Sequence, residues 1–337
     1  MRKELHVLTN DRIYMKRGFY TSNNDLANIL SSCGKSHKIN LICRKSYNSL
    51  NYKINVPNLN IIKDSLLSEN LYSNKTKLLM ISITPFNVLK LIHINFILKT
   101  KIRGYVYLRS DGFKEYRIKY KLLGYFFYGL MFAFFKKFTK IISCSKNLSH
   151  VKKFTYVDPS KIDKNWLVKR VKPKLNNIKF LYVGRMKKEK GIFTLINLFD
   201  NLLIKYQLTI LGSKYNNIIK KNGNLIFYKK EIYDHKKIKK YYDNCNLFFL
   251  PSYTEGNPQV IKESFARQRP VIVFEDLKFL SKQYNGIIVS KRNSKNLHLC
   301  IKNIFQNYNH FYNLTKRNRI TLKESFQKNI NNIIFNS

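Results

Sequence analysis

Short apolar runs alternate along the chain with longer segments of mixed character. In the first half the runs are Leu5 to Thr9, Ile39 to Cys43, Leu78 to Ile83, Tyr105 to Leu108 and Ile141 to Cys144. So continuous an apolar composition over so few residues fits strands buried on both faces, as in a parallel sheet. The second half repeats the rhythm with Phe180 to Val183, Leu208 to Leu211, Leu225 to Tyr228, Leu247 to Leu250, Val271 to Phe274 and Ile287 to Val289. Strands alternating with helix-sized segments predict α/β layering, and two such sets predict two doubly wound parallel sheets.

The stretch from Asp158-Pro159-Ser160 to Val171-Lys172-Pro173-Lys174 separates the sets. It is polar, holds two prolines and lacks periodicity, so it reads as the connection between domains. The expected division is residues 1–165, residues 166–313, and a helical segment 314–337 that need not belong to the second sheet. A chain of 337 residues exceeds what one core usually serves, which agrees with two domains.

Leu122 to Phe135 (LLGYFFYGLMFAFF) departs from this rhythm, being uncharged throughout, with Lys119 and Lys121 before it and Lys136, Lys137 and Lys140 after it. As a helix it reaches about 21 Å, short of the roughly 30 Å of a bilayer's hydrocarbon core. Two environments accept such a helix. One is the face of an anionic membrane, with Phe126, Phe127, Phe134 and Phe135 at headgroup depth and the lysines on phosphates; the other is burial against the first sheet.

The charge brings in partners. Against 63 Lys and Arg stand 19 Asp and Glu, a formal +44 at pH 7, which attracts nucleic acid, an anionic membrane or phosphorylated substrates. Lys is spread over the whole chain together with Asn and Ile, so part of the excess is a coding bias. The five cysteines are odd in number and lack CxxC spacing, which predicts reduced thiols in the cytosol. Met1-Arg2-Lys3-Glu4 leads into a strand-like run and on to Asp11 without an apolar signal region, so no export signal is expected.

Candidate chemistry lies in the second half. Gly34-Lys35-Ser36 imitates the end of a phosphate-binding P-loop, but Ile29 stands where its opening glycine must be. No GxGxxG or HExxH occurs and the histidines are scattered, so neither a dinucleotide nor a zinc site is expected. Leu181-Tyr182-Val183-Gly184-Arg185-Met186-Lys187-Lys188-Glu189-Lys190-Gly191 instead ends a strand at Gly184 and places Arg185 and Lys190 at the carboxyl edge of a sheet. Ligands of open α/β sheets bind at that edge, and these cations suit a diphosphate. After the run Leu247 to Leu250 comes Pro251-Ser252-Tyr253-Thr254-Glu255-Gly256-Asn257-Pro258-Gln259-Val260-Ile261-Lys262-Glu263-Ser264-Phe265-Ala266. Asn257 is expected to cap a helix with Pro258 in its first position, leaving amides open to a phosphate. Glu255 precedes that helix and Glu263 lies within it, so the two carboxylates can address different parts of one ligand.

Glu255, seven intervening residues and Glu263 resemble the E-x7-E motif of retaining glycosyltransferase family 4. The upstream Gly184-Arg185 and Lys190-Gly191 and the downstream Arg269-Pro270-Val271-Ile272 strengthen the likeness. The resemblance implies a GT-B fold, α/β, with two Rossmann-like doubly wound parallel-sheet domains facing across a crevice. It makes 1–165 the acceptor and membrane-side domain and 166–313 the nucleotide-sugar domain, and lets 314–337 pack back on the first. It implies that Arg185 and Lys190 hold the donor diphosphate in place of a metal ion. By the same likeness Glu255 meets the donor hexose, Glu263 the ribose, and Gly184, Gly256, Asn257 and Pro258 line the phosphate and sugar. Looser likeness at Leu108-Arg109-Ser110-Asp111-Gly112 makes Asp111 the acidic residue presented to the donor sugar, although Asp-Gly is equally a turn. The glycine-rich loop of the family is reduced to Lys16-Arg17-Gly18, with Gly18 in the phosphate-contacting position.

The expected activity is therefore transfer of a sugar from a nucleotide-sugar donor to a lipid-linked or surface-polysaccharide acceptor, of the lipopolysaccharide or capsule type. No cofactor, metal or nucleic acid is expected, and the protein would sit peripherally on the cytoplasmic face of a bacterial plasma membrane. A basic nucleic-acid-binding protein and a GT-B-like nucleotide-sugar epimerase are the alternatives.

Overall fold

The computed structural model describes residues 4–16, 19–34, 37–48, 52–62, 76–97, 99, 103–146, 153–213, 216–221 and 223–336. The chain forms two compact units, Met1–Lys161 with Lys323–Ser337, and Ile162–Leu322. The first division thus falls just before residue 165, and the chain joins the first unit again at Lys323 rather than at 314.

In the first unit nine strands form one sheet: β1 (Glu4–Lys16), β2 (Phe19–Ser22), β3 (Lys38–Ser46), β4 (Tyr52–Lys53), β5 (Leu59–Ile61), β6 (Lys77–Ile81), β7 (Arg103–Leu108), β8 (Thr139–Ser143) and β9 (Thr155–Tyr156). β3, β1, β6, β7, β8 and β9 run parallel, while β2 and β4 add an antiparallel margin to the far end of β1. The apolar runs of the sequence are the inner strands. Helix α1 (Asn24–Cys33), capped by the Asn23 side chain on the Leu26 amide, packs its Leu26 and Leu30 face on the sheet.

The second unit holds β10 (Lys179–Val183), β11 (Gln207–Ser213), β12 (Asn217–Lys221), β13 (Asn224–Lys230), β14 (Leu247–Leu250), β15 (Val271–Phe274) and β16 (Ile287–Ser290), in the order β12-β13-β11-β10-β14-β15-β16. All pair in parallel except β12, an edge strand ending in Lys220 and Lys221; lysine on an edge discourages further pairing. β14 and β15 are buried at every position, as strands covered on both faces must be.

The polar connection is fixed to the second unit by two buried arginines. Arg267 donates to the carbonyls of Trp166, Val168 and Lys169 and pairs with Asp243, while Arg269 donates to those of Val171 and Asp243. At the other end of the chain, the last helix (Lys323–Asn336) inserts Phe326, Ile330 and Ile334 into the first unit's core, and Asn331 donates to the Ser32 carbonyl at 2.7 Å.

Between β6 and β7 lies α2 (Pro85–Ile92), and between β7 and β8 lies α3 (Gly112–Phe138). As one straight helix, α3 would hold Phe113 and Phe132 about 28 Å apart. Their ring centroids are 5.4 Å apart. Tyr120 and Lys121 leave helical geometry, Lys121 at φ 55°, so the chain turns back on itself there. Two antiparallel arms result, bound by Phe113 against Tyr128 and Tyr116 against Tyr128. Gly124 permits the crossing, since a Cβ there would stand 2.3 Å from the Tyr116 carbonyl oxygen.

The hairpin answers the question that the apolar segment posed. Tyr128, Met131, Phe132 and Phe135 point into the core around β6, β7 and β8, while Leu122, Leu123, Phe126, Phe127 and Leu130 are exposed, Leu123 by 81%. Phe135 is fully buried and Phe134 half-buried beside Phe138, so the expectation that they face a membrane is corrected: residues 128, 131, 132 and 135 share the inward helical face. Lys119, Lys121, Lys136 and Lys137 are exposed.

Candidate active site

The carboxyl edge of the second sheet gathers the motif residues. β10 is followed by Gly184, whose amide donates to the Leu211 carbonyl at 2.9 Å. The neighbouring strand approaches so closely that a Cβ on Gly212, at φ 115°, would lie 2.1 Å from the Gly184 carbonyl oxygen. Arg185 follows and is exposed; its carbonyl accepts the buried phenol of Tyr182 at 2.9 Å. A tight turn over Lys188–Lys190 then brings Lys190 back toward the sheet, and helix α4 (Ile192–Asp200) begins after Gly191.

Lys190 Nζ donates to Glu255 Oε1 at 2.7 Å, and Ser252 Oγ donates to the same oxygen at 2.7 Å. Both partners of the ion pair are largely buried. The loop carrying Glu255 is tied to the Lys188–Lys190 turn by the Tyr253 amide, which donates to the Glu189 carbonyl at 3.1 Å. Sequence motifs sixty-odd residues apart therefore meet in one charged cluster at the ends of two adjacent strands.

Helix α6 (Gln259–Ala266) follows the loop. Its capping residue is Pro258, with extended backbone, one residue after the expected Asn257, whose Oδ1 accepts from the Gln259 side chain at 3.3 Å. Gly256, Asn257 and Pro258 form the approach to the helix. Glu263 sits inside it and accepts the Tyr242 phenol at 2.9 Å. Tyr242 lies on α5 (His235–Asn244) and is fully buried; burial first, and the Glu263 carboxylate second, push its pKa well above the ordinary phenol value, so it remains a donor. Burial, reinforced by Glu255, likewise raises Tyr182.

Sequence reasoning missed Ser252 and Tyr242. Ser252 stands three residues before Glu255, a spacing that a loop turns into contact. Tyr242 had only the helical spacing from Ile238, which marks an inward face and says nothing about Glu263.

Two expected site residues belong to the first unit. Asp111 is buried and caps α3, its side chain accepting from the Lys114 amide at 3.4 Å, which is the turn role that Asp-Gly allowed. Gly18, with Arg17, lies outside the described residues, as do Lys35 and Ser36. Among the described residues no three His, Cys, Asp or Glu side chains are grouped as a metal site requires. All five cysteines are free; burial pushes Cys33, Cys43 and Cys245 up to about 12 and Cys300 up to about 11, so none of these four is a ready thiolate.

Comparison with known proteins bears on this arrangement. The model of the family "Glycosyl transferases group 1" matches residues 164–321, nearly the whole second unit and the cluster just described. The teichuronic acid biosynthesis glycosyltransferase TuaC of Bacillus subtilis (strain 168) is 32% identical over 93 residues, 27% of this chain and 23% of that protein's length. Among solved structures, sucrose-phosphate synthase from Thermosynechococcus elongatus superposes with a TM-score of 0.72 at 14% identity, covering 98% of both chains.

The fold is GT-B. Anabaena HepE in complex with UDP and glucose (TM-score 0.66, 11% identity, 98% of both chains) shares it. So does WaaG, a glycosyltransferase involved in lipopolysaccharide biosynthesis (TM-score 0.64, 11% identity, 98% of this chain and 100% of that one). Fold and matched domain are both those of glycosyltransferases. Among the described residues no helix is long and apolar enough to cross a membrane.

Proposed function

We propose that the chain is a retaining, metal-independent glycosyltransferase that moves a sugar from a nucleotide-sugar donor to a lipid-linked or surface-polysaccharide acceptor. The observation that carries this reading is the Lys190–Glu255 pair with Ser252, at the carboxyl edge of the sheet within the matched domain. A diphosphate leaving group gains negative charge as the glycosidic bond breaks, and fixed cations stabilise that charge without reorganising. Arg185 and Lys190 fill this role. Phosphates arriving at Lys190 compete with Glu255 for the ammonium, which turns Glu255 toward the hydroxyls of the donor sugar. Glu263, oriented by Tyr242, accepts from the ribose, and the backbone of Gly256, Asn257 and Pro258 meets the phosphate and sugar. The acceptor oxygen attacks the anomeric carbon from the leaving group's side, and its proton passes to the departing phosphate oxygen, so no protein nucleophile is required. Asp111 and Gly18 enter as donor contacts through the family resemblance alone.

TuaC is named for teichuronic acid and WaaG for lipopolysaccharide biosynthesis, which favours an acceptor of this kind. The α3 hairpin adds a partner: its apex bears Tyr120, Leu122 and Leu123 beside Lys119 and Lys121, all exposed, the combination that docks on anionic lipid. The protein would then work peripherally on the inner face of a bacterial plasma membrane.

The test is turnover of UDP-, GDP- and ADP-sugars in excess EDTA, with identification of the products. Release of nucleoside diphosphate with retained anomeric configuration is expected, and Lys190→Ala should lower turnover about 10²-fold while the protein still melts in one cooperative transition. Full dependence on added Mg²⁺ or Mn²⁺ would remove the metal-independent mechanism, and an epimerised nucleotide sugar would assign an epimerase. No turnover, together with tight, salt-sensitive nucleic-acid binding, would return the +44 charge to the nucleic-acid reading.

A further inference from the structure

Arg292 belongs to no motif, yet it sits behind the charged cluster and touches three adjacent strand ends. It follows β16, and its Nε and one terminal nitrogen donate to Asp276 Oδ2, which follows β15, at 3.2 and 2.6 Å. The other terminal nitrogen donates at 2.9 Å to the carbonyl of Pro251, which follows β14. The guanidinium Cζ lies 4.0 Å from the Tyr253 ring centroid and 4.2 Å from that of Phe274. Asp276 and the Pro251 carbonyl hold the fork by hydrogen bonds while two rings pack against it, so a rotation of the group would break several contacts at once. Only a planar guanidinium can donate to both oxygens and be stacked by rings at once.

The Pro251 carbonyl held by Arg292 is the one against which the turn at Gly191 packs. A Cβ on Gly191 would be 2.0 Å from that oxygen and 3.2 Å from the Arg292 nitrogen. Tyr253, stacked on Arg292, donates its amide to Glu189, and its phenol lies 2.9 Å from Thr194 Oγ1 on α4. Arg292 thus fixes the loop that bears Ser252 and Glu255, and through Tyr253 the turn that bears Lys190.

The geometry points to Arg292 as the positioning residue of the donor site, acting through its protein partners: it sets the separation of Lys190 and Glu255 by clamping Pro251 and Tyr253. The role in donor chemistry rests on the glycosyltransferase reading above; the clamping of the loop does not. Misplacement of a catalytic group by about 1 Å can cost up to about 10²-fold in rate.

Three variants test it: Arg292→Met, which keeps an unbranched apolar stem but loses the fork; Arg292→Lys, which keeps a charge; and Asp276→Asn, which leaves the arginine in place. Two readouts apply to each, kcat and KM on UDP-glucose, GDP-mannose and ADP-glucose, and hydrogen exchange at the Tyr253 amide. Arg292→Met should lower kcat at least about 10-fold with donor KM within about 3-fold, and should speed exchange at Tyr253 while Leu247–Leu250 stay protected. Arg292→Lys should recover part of both losses, and Asp276→Asn should show both effects more weakly should the methionine variant not fold. Wild-type kcat and wild-type Tyr253 exchange in Arg292→Met would overturn the proposal. If the wild-type protein turns over none of the donors and binds none of UDP, GDP and ADP, the donor reading fails with its positioning role, and exchange at Tyr253 still decides whether Arg292 clamps the loop.

Discussion

At the scale of single residues the site depends on close approach as much as on charge. Gly191 has φ 66° and the Pro251 carbonyl oxygen where its side chain would begin. An L-residue in the left-handed region costs about 1–2 kcal/mol, and the collision adds displacement of the loop that carries Glu255. Gly191→Ala should therefore lower unfolding free energy by more than about 2 kcal/mol in denaturant titration and reduce donor turnover together with it. Gly191→Asn separates the two causes, because asparagine tolerates the left-handed region but still carries a Cβ. An asparagine variant with wild-type stability and turnover would show that the dihedral angle alone matters at this position. The same close packing accounts for Gly212, where a Cβ would collide with the Gly184 carbonyl.

At the scale of elements, the inner strands were legible because burial on both faces writes itself as an uninterrupted apolar run, as in Leu247–Leu250 and Val271–Phe274. The short marginal strands β4, β5, β9 and β12 were not, since a few half-polar residues at a sheet edge take their conformation from a neighbour. The Lys190–Glu255 cluster was legible in residue type and motif spacing; that Ser252 and Lys190 share one carboxylate oxygen was not, because it depends on how two loops fold. The hairpin shows the limit most clearly. Fourteen uncharged residues are equally a core helix or an interfacial one, and the turn at Tyr120–Lys121 gives one arm a buried face and an exposed one, with Phe135 inside and Leu123 outside. Leu122→Ser with Leu123→Ser and Phe126→Ser should therefore abolish co-sedimentation with phosphatidylglycerol-containing vesicles at an unchanged melting temperature. Phe135→Ser, by contrast, should cost about 3–5 kcal/mol of stability. Undiminished vesicle binding in the triple variant would remove the membrane assignment. The crossing itself is tested by Gly124→Ala, whose Cβ would meet the Tyr116 carbonyl oxygen at 2.3 Å; this change should destabilise the first unit, read as loss of amide protection along α3.

At the scale of the whole molecule the scarcity of carboxylates decides how the protein responds to acid. With 19 carboxylates against 63 cations, several of the described ones are held in ion pairs: Glu4 pairs with Lys38, Asp11 with Arg109, Asp25 with Lys161, Asp243 with Arg267, Glu255 with Lys190 and Asp276 with Arg292. Protonating any of them breaks a pair and adds to a charge already at +44, so self-repulsion grows as support is lost. His6 acts in the same direction earlier in a titration. It is buried on β1 against Asn40, and burial drives its pKa from 6.5 down to about 4. Since the folded state holds His6 neutral while the unfolded state takes up a proton below about 6.5, the unfolded chain binds more protons in this window, and stability falls with falling pH from about 6.5 to about 4. That single group accounts for about 3 kcal/mol by pH 4. Glu4, held below the ordinary carboxylate range by its bond to Lys38, adds stability above pH 4.5 that is lost as pH falls through its lowered folded value. The expected curve is a melting temperature highest near neutral pH that declines between 6.5 and 4, before most carboxylates titrate, and declines again above about pH 9, where the unfolded chain releases thiol protons that the buried cysteines keep. His6→Gln should flatten the upper part of the decline, whatever it does to stability at pH 7, because glutamine has no proton to gain. A variant whose melting temperature drops between pH 6.5 and 5 as steeply as the wild type would show that acid sensitivity in that range comes from another group.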